Sequence, residues 1–246
     1  PVLVSPSVTQ DKDGRPWVLF GTGRLFSAGA NSDHVSTSTQ ALYGIQEASK
    51  DGCWDKIKMR WKSSCVTTVS LSNILSVEKI SVEHSTTMPG KCVNCPAGEK
   101  TVFELADKLR ADYGGWIYRL PPGERVLSKI TLLAGVVAVP SYTPRLDKND
   151  VCEVGGTSTL YGIAYETGTA FFSDANKLGA FATLNSDKTI VSNVKLGEGI
   201  ASRVSLISNE DSVIGKTQTS GGNIVSMVMF ITPRKQGTKL FLEKTE

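Results

Sequence analysis

The sequence predicts an all-β fold, in which about three recognisable blades form part of a larger β-propeller. Residues 39–45 (TQALYGI) return as residues 157–163 (TSTLYGI), and apolar strand–turn–strand segments begin near residues 5, 128 and 202. Recurring all-β units of this kind are typical of propeller blades, which bury their faces against neighbouring blades. Because propellers usually have about four to eight blades, three units indicate an incomplete ring.

The first unit covers residues 1–47. Apolar residues 2–4 begin it, residues 11–14 (DKDG) form a tight turn, and residues 17–20 return as a strand. A loop rich in Gly, Ser and Asn follows, and then a strand at residues 42–45. Gly44 within that strand indicates the close approach of a neighbouring segment.

Residues 48–114 interrupt the repeat, and we expect them to form an insertion within a single domain of residues 1–246. The insertion contains one short helix. Thr101 and Glu104 have the spacing of a capping box, and apolar residues recur at three- and four-residue steps from residue 102 to residue 113. Gly114 and Gly115 end the helix.

Residues 115–120 alternate as a strand, and a Pro-Pro-Gly turn leads from it into the second unit, residues 128–172. Residues 173–201 are a connection. The third unit covers residues 202–232, and its last strand is an apolar run at residues 224–231. Because the chain opens on apolar residues without an initiator Met, we expect a processed or truncated protein whose remaining blades lie upstream.

Four of the five cysteines lie in the insertion, namely Cys53, Cys65, Cys92 and Cys95. Their thiolates would suit zinc, but Cys53 and Cys65 are twelve residues apart, which departs from the close pairs of zinc knuckles. Disulfides in an exported protein are the simpler interpretation. The odd cysteine, Cys152, either pairs outside the chain or stays a buried thiol.

Two acidic loops are the candidate calcium sites. The first contains Asp11 and Asp13, and the second contains Asp147, Asn149 and Asp150. Calcium takes six to eight oxygen ligands, and neither loop supplies the full pattern of a calcium-binding loop. Ordinary turns are therefore the favoured interpretation of both.

Several functional classes lack support in the sequence. A net charge of +3 without a basic run gives no reason to expect a nucleic-acid partner. The longest apolar stretch, residues 130–139, is too short to span a bilayer. No nucleophile elbow, catalytic triad or dinucleotide motif occurs, so we expect no enzymatic activity. Trp17 and Trp116 lie in strand patterns and are predicted to pack between blades.

An ordered set of motifs resembles the C-terminal propeller of PilY-type type IV pilus proteins. The set comprises residues 18–24 (VLFGTGR), residues 42–45 (LYGI), Gly115-Trp116 and residues 120–126 (LPPGERV). Residues 142–144 (YTP), Cys152 and residues 155–161 (GGTSTLY) fit the same family. The resemblance covers about residues 5–170.

This resemblance implies an exported, non-enzymatic protein at a bacterial surface or pilus tip, in the outer membrane or in the periplasm. It implies roles in pilus biogenesis, surface attachment and twitching motility, with minor pilins and a host or abiotic surface as partners. Many such proteins bind calcium, and we expect that site in a part of the protein outside this chain. Two alternatives remain: a quinoprotein-like dehydrogenase propeller, and a structural scaffold that docks a partner through residues 48–114.

Overall fold

The computed structural model describes residues 1–26, 33, 36–47, 54–55, 60–61, 69–85, 87–133, 135–146, 154–171, 183–208 and 213–229. Within these ranges the chain is mostly β-strand with one α-helix, which confirms the all-β class. In chain order the elements are β1 (Ser7–Gln10), β2 (Pro16–Gly21), β3 (Ala41–Gln46), β4 (Trp54–Asp55), β5 (Arg60–Trp61), β6 (Leu75–Ser76), β7 (Ser81–Glu83), β8 (Lys91–Val93), α1 (Val102–Asp112), β9 (Gly115–Arg119), β10 (Thr131–Leu133), β11 (Val136–Leu146), β12 (Val154–Ala164), β13 (Thr183–Leu184), β14 (Ile190–Val191), β15 (Asn193–Glu198), β16 (Ser205–Ser208), β17 (Val213–Gln218) and β18 (Ile224–Met229).

Three antiparallel sheets account for most of these strands. Sheet 1 has the order β1-β2-β3-β9, and the short β6 adds to β9 in parallel. Sheet 2 has the order β10-β11-β12-β15, and sheet 3 the order β16-β17-β18. The remaining described strands form two-stranded ribbons, β4–β5, β7–β8 and β13–β14. The repeated phrase of the sequence lies in the third strand of sheet 1 and in the third strand of sheet 2.

The three sheets have corresponding registers. In each sheet, the first residue of the first strand pairs with a residue of the second strand. The pairs are Ser7 with Leu19 in sheet 1, Thr131 with Ala138 in sheet 2 and Ser205 with Lys216 in sheet 3. These pairs place Leu19, Ala138 and Lys216 at equivalent positions. The faces of the three sheets can therefore be compared residue by residue.

Sheet 2 is buried on both faces. Alternate residues of a strand point to opposite faces, and here one set packs on sheet 1 while the other packs towards sheet 3. The residues facing sheet 1 form one core cluster with its strands and α1, and they are Val137, Val139, Tyr161 and Ile163. The opposite set belongs to a second cluster that reaches Val204 and Val213, and it includes Val136, Ala138, Leu160 and Leu196.

A second feature of the core is a narrow slot that holds the indole of Trp116. A Cβ atom at Gly44 would lie 2.3 Å from Cε2 of Trp116, and one at Gly168 would lie 2.5 Å from its Cδ2. Gly168 also has a φ of +66°, which favours glycine. Trp17 and Trp116 are both fully buried in the core cluster, so both are core packing residues.

Helix α1 forms where the sequence predicts it. The side chain of Thr101 accepts a hydrogen bond from the amide of Glu104, at 3.2 Å, which caps the first turn. The Glu104 carboxylate accepts from the amide of Lys100 rather than from that of Thr101. Leu105 and Leu109 are fully buried in the same cluster as sheets 1 and 2, so this part of residues 48–114 contributes to the main core.

Two sequence expectations need correction. Residues 2–4 are not in a strand, and β1 begins at Ser7 instead. The preceding Pro6 has no N–H to donate to a strand ladder. Val2 and Leu3 are exposed. Residues 193–198, predicted to lie in a connection, form the fourth strand of sheet 2 instead, where Leu196 is buried.

Candidate functional site

The first candidate calcium loop, with Asp11 and Asp13, is a hydrogen-bonded hairpin turn, as the sequence favoured. Oδ1 of the buried Asp11 accepts the amides of Asp13 and Arg15, each at 2.9 Å, and the amide of Gly14 donates to the Asp11 carbonyl. Gly14 has a φ of +77°, the left-handed conformation that such turns need. The Asp11 carboxylate therefore holds the turn between β1 and β2 in shape.

Asp13 instead faces an arginine of the helix. Its Oδ2 lies 3.9 Å from Nε of Arg110, and the same guanidinium lies 3.3 Å from Oε2 of Glu166 and contacts Asp107. The Arg110 side chain is almost completely buried by these neighbours. This cluster joins the β1–β2 turn, α1 and the turn after β12. Because all three carboxylates contact the same guanidinium, the cluster is an ion-pair network that links the three segments.

The part of the chain that the structure describes contains no group of three or more His, Cys, Asp or Glu side chains that could hold a metal ion. The second candidate loop, with Asp147, Asn149 and Asp150, lies outside the described residues and stays a prediction. In the same ranges no helix has the length and apolar content needed to cross a membrane.

Two of the four insertion cysteines are joined. Cys92 and Cys95 form a disulfide with a Cα–Cα distance of 5.9 Å, at the end of β8. Asn94 between them has a φ of +60°, a conformation that Asn adopts more readily than most residues. In this bond the two sulfurs are not available as thiolates for zinc. Cys53, Cys65 and Cys152 lie outside the described residues.

The loop motifs that carry the resemblance lie against each other. The amide of Val126 donates to the carbonyl of Thr22 at 3.0 Å, and a Cβ atom at Gly21 would lie 2.5 Å from Cγ2 of Val126. Residues 18–24 and 120–126 therefore form one packed unit. The Gly-Thr-Gly of this motif gives the second segment the room to approach.

Arg125 is the central group of that unit. It is 3% exposed, and its Nε, Nη1 and Nη2 donate to the carbonyls of Gly123, Arg24 and Ser36 at 3.0–3.1 Å. Burial lowers the pKa of its guanidinium, and the charge of Asp33 opposes this effect. The pKa of Asp33 is itself low: burial acts to raise it, but the Phe26 amide and the Arg24 side chain stabilise the anion.

Glu124 points into the interior with hydroxyl groups around it. It is 3% exposed, and the Ser141 hydroxyl donates to its Oε1. The rings of Tyr118 and Tyr161 meet edge to face with centroids 5.6 Å apart. Burial, followed by the charge of Glu124, raises the pKa of both tyrosines, so both phenol groups stay neutral.

A groove of about 410 Å³ runs between the first strands of sheets 2 and 3. Lys129 and Arg203 lie on it and are exposed. Its floor is crossed by a hydrogen bond from the Thr131 hydroxyl to the carbonyl of Val204, at 2.8 Å. The groove is open and mixed in character, and no nucleophile with an adjacent base lines it.

Sheet 1 presents an apolar face to the outside. This outer face of sheet 1 consists of Val8, Val18, Phe20, Tyr43 and Ile45, all at least partly exposed, with Val8 at 66%. The rings of Phe20 and Tyr43 stack with centroids 5.0 Å apart. In the sequence, the β2 residues that point inwards and those that point outwards are both apolar. This pattern is the sequence signal for an apolar outer face. Contiguous exposed apolar patches commonly mark interaction sites.

Comparison with known proteins gives no family for this chain, since no protein-family model, no curated protein and no solved structure matches it. The residues themselves are therefore the basis for function. In the described ranges the most buried charged side chains are those of Arg125 and Glu124, and both are committed to internal hydrogen bonds. In the same ranges, the outer face of sheet 1 is an apolar surface that stays at least partly exposed.

Proposed function

We propose that the chain is a non-enzymatic portion of a β-propeller in a PilY-type protein that supports type IV pilus biogenesis, surface attachment and twitching motility. The observation that carries the propeller is the burial of sheet 2 on both faces by sequential antiparallel sheets. Propeller blades pack in this way, each between its neighbours in the chain. Further blades from an upstream part of the same protein would complete the ring.

The motif geometry supports the assignment to the pilus family. The segments quoted for the resemblance, residues 18–24 and 120–126, contact each other through Gly21, Thr22 and Val126. Segments far apart in sequence thus form one local unit, as a shared fold requires. The Cys92–Cys95 disulfide is typical of exported proteins and supports a location at the cell surface or in the periplasm.

Neither Trp17 nor Trp116 offers the quinoprotein-like alternative an open stacking platform. Trp17 and Trp116 are fully buried, and the Trp116 indole nitrogen donates to the Tyr165 carbonyl at 2.7 Å. A quinone cofactor needs an accessible aromatic face in a funnel, so these two residues lend no support to a quinone site. The scaffold alternative, docking through residues 48–114, shares the proposed fold and differs only in the partner.

The test is a deletion of the gene in its own organism. We expect fewer pili by electron microscopy, smaller twitching zones and weaker attachment, all restored by the intact gene. As a matched pair, an Arg125→Met gene should fail to restore these properties, whereas an Arg119→Met gene should restore them, because only Arg125 is buried. Normal piliation, twitching and attachment in the deletion strain would contradict the proposed function.

A further inference from the structure

Two exposed basic residues occupy equivalent positions in successive sheets. Lys129 lies two residues before Thr131, the first residue of β10. Arg203 lies two residues before Ser205, the first residue of β16, which shares the register position of Thr131. The surrounding sequences, SKITL and SRVSL, are also alike. The repeat therefore places a cation at the same point of sheets 2 and 3.

Both cations line the groove between the first strands of these two sheets. Its volume of about 410 Å³ lies within the range of about 300–1,000 Å³ that is usual for ligand sites. The hydrogen bond from the Thr131 hydroxyl to the Val204 carbonyl crosses its floor. Arg203 is the chain neighbour of Val204, and Lys129 is only about 7 Å of chain from Thr131. One ligand can therefore contact both basic side chains.

The positive charge of this groove is not neutralised by the described part of the chain. In those ranges neither Lys129 nor Arg203 forms an ion pair, and the groove lining contains no acidic residue. Other arginines of the same ranges do contact a carboxylate, and they are Arg24, Arg110, Arg119 and Arg145. Two cations beside one groove, without a counter-ion from the chain, attract an anionic ligand.

The rest of the groove is largely apolar, and this narrows the class of anion. Ile130 and Val204 are buried in its lining, whereas Leu132 is partly exposed and Leu206 is 37% exposed. A small inorganic anion would pair with the cations and leave these apolar side chains in water. An extended peptide points alternate side chains to opposite sides, so a segment that alternates acidic and apolar residues can use both parts of the groove.

The groove also lies where successive sheets converge. The Ser7 hydroxyl donates to the Ile130 carbonyl at 3.0 Å, and the Thr131 hydroxyl donates to the Val204 carbonyl at 2.8 Å. Each bond joins the first strand of one sheet to the residue before the first strand of the next. In a propeller, the edges at which blades converge surround the central channel. Further blades would pack on sheet faces and leave this edge open, a step that rests on the proposed function.

We propose that the groove between sheets 2 and 3 binds an acidic segment of a partner protein in extended conformation. Carboxylates of the segment pair with Lys129 and Arg203, and its apolar side chains pack on Leu132 and Leu206. The partner is recognised by its alternation of acidic and apolar residues. The site belongs to sheets 2 and 3 alone, so it is separate from the outer face of sheet 1.

The first test measures the binding of a synthetic fluorescent peptide of alternating Leu and Glu to the intact purified protein by fluorescence anisotropy. This peptide should bind at least about fivefold more tightly than its counterpart with Gln in place of Glu. Lys129→Gln and Arg203→Gln should each weaken binding about two- to fivefold. Lys79→Gln removes an exposed lysine outside the groove, makes the same change in net charge and should leave binding unchanged.

The decisive variant reverses the charge of the groove. Lys129→Glu/Arg203→Glu should lose the Glu peptide and bind a peptide of alternating Leu and Lys instead. Equal binding of the Glu and Gln peptides, or a reversed variant without preference for the Lys peptide, overturns the proposal. Displacement of the Glu peptide by equimolar inorganic phosphate or by single-stranded DNA also overturns it and assigns the groove to phosphate groups. The assay involves no pili, so its failure and that of the proposed function are distinguishable.

Discussion

The indole Nε1 of Trp116 donates a hydrogen bond of 2.7 Å to the carbonyl of Tyr165 and thereby joins sheet 1 to the turn after β12 of sheet 2. The Trp17 ring also meets the Tyr165 ring, edge to face, with centroids 6.0 Å apart. The indole of Trp116 lies between Gly44 and Gly168, neither of which has room for a Cβ atom. The contact between the first two sheets therefore depends on a large ring in a slot made by two glycines.

Gly44→Ala should destabilise the protein by about 1–3 kcal/mol, because the added methyl group would overlap the buried ring of Trp116 and neither can move without disturbing the core. The measurement is the free energy of unfolding in urea. Gly155→Ala is the matched control in a strand, since its nearest neighbour is the flexible Arg145 side chain at 3.4 Å. Equal effects of the two substitutions would contradict the slot.

Arg125→Met should reduce the free energy of unfolding by about 2–4 kcal/mol, because it leaves the carbonyls of Gly123, Arg24 and Ser36 without their buried donor. Arg119→Met removes an arginine that pairs with Glu78 at the surface and should cost about 0–1 kcal/mol. Urea unfolding of both variants gives the comparison. A small effect at Arg125 would show that water replaces the guanidinium.

Alkaline pH should destabilise the protein through its buried tyrosines. The pKa of Tyr161 is raised, by burial first and then by Glu124, so the folded state holds the proton more tightly than the unfolded state. This contribution is fully present below about pH 10, where an unfolded tyrosine titrates, and is lost as the pH rises above that value. Each such tyrosine contributes a slope of about 1.4 kcal/mol per pH unit.

The corresponding measurement is urea unfolding at a series of pH values from 8 to 11, as chosen conditions, for the unaltered chain and for Tyr161→Phe. The variant should show a shallower decline above about pH 10. Tyr43→Phe, on the half-exposed outer face of sheet 1, serves as the comparison. A decline that is identical in the unaltered chain and in Tyr161→Phe would refute this role of Tyr161.

The disulfide between Cys92 and Cys95 should be present in the purified protein and should stabilise it moderately. The loop that it closes is only three residues in sequence separation, so the loss of unfolded-state entropy is small and Cys92→Ser/Cys95→Ser should cost about 2 kcal/mol. Peptide mapping by mass spectrometry without reductant identifies the bond. Free thiols at both positions together with bound zinc would support the zinc interpretation instead.

Local signals predicted the local parts of the fold. Helix α1 follows from Thr101 and the apolar spacing after it, and the turn at Asp11 follows from an Asp-Gly pair with the right neighbours. Both depend on residues only a few positions apart, which is the range over which capping and turn preferences act. The repeated phrase likewise identified the third strands of sheets 1 and 2.

Long-range features were not predictable from one sequence. The burial of Arg125 depends on carbonyls 89 and 101 residues away along the chain, and a charged residue after Pro-Pro-Gly otherwise indicates an exposed turn. β15 was missed because only its pairing with β12 gives it a place in sheet 2. The disulfide partner of Cys92 could not be chosen from spacing alone.

The burial of Trp17 and Trp116 at one contact also makes that contact visible by spectroscopy. Both indoles lie in the cluster shared by sheets 1 and 2, whereas the residues of sheet 3 include no tryptophan. Intrinsic fluorescence will therefore respond strongly when the first two sheets separate, while circular dichroism follows the strands of all three. If fluorescence and circular dichroism change at different denaturant concentrations, sheet 3 unfolds in a separate step.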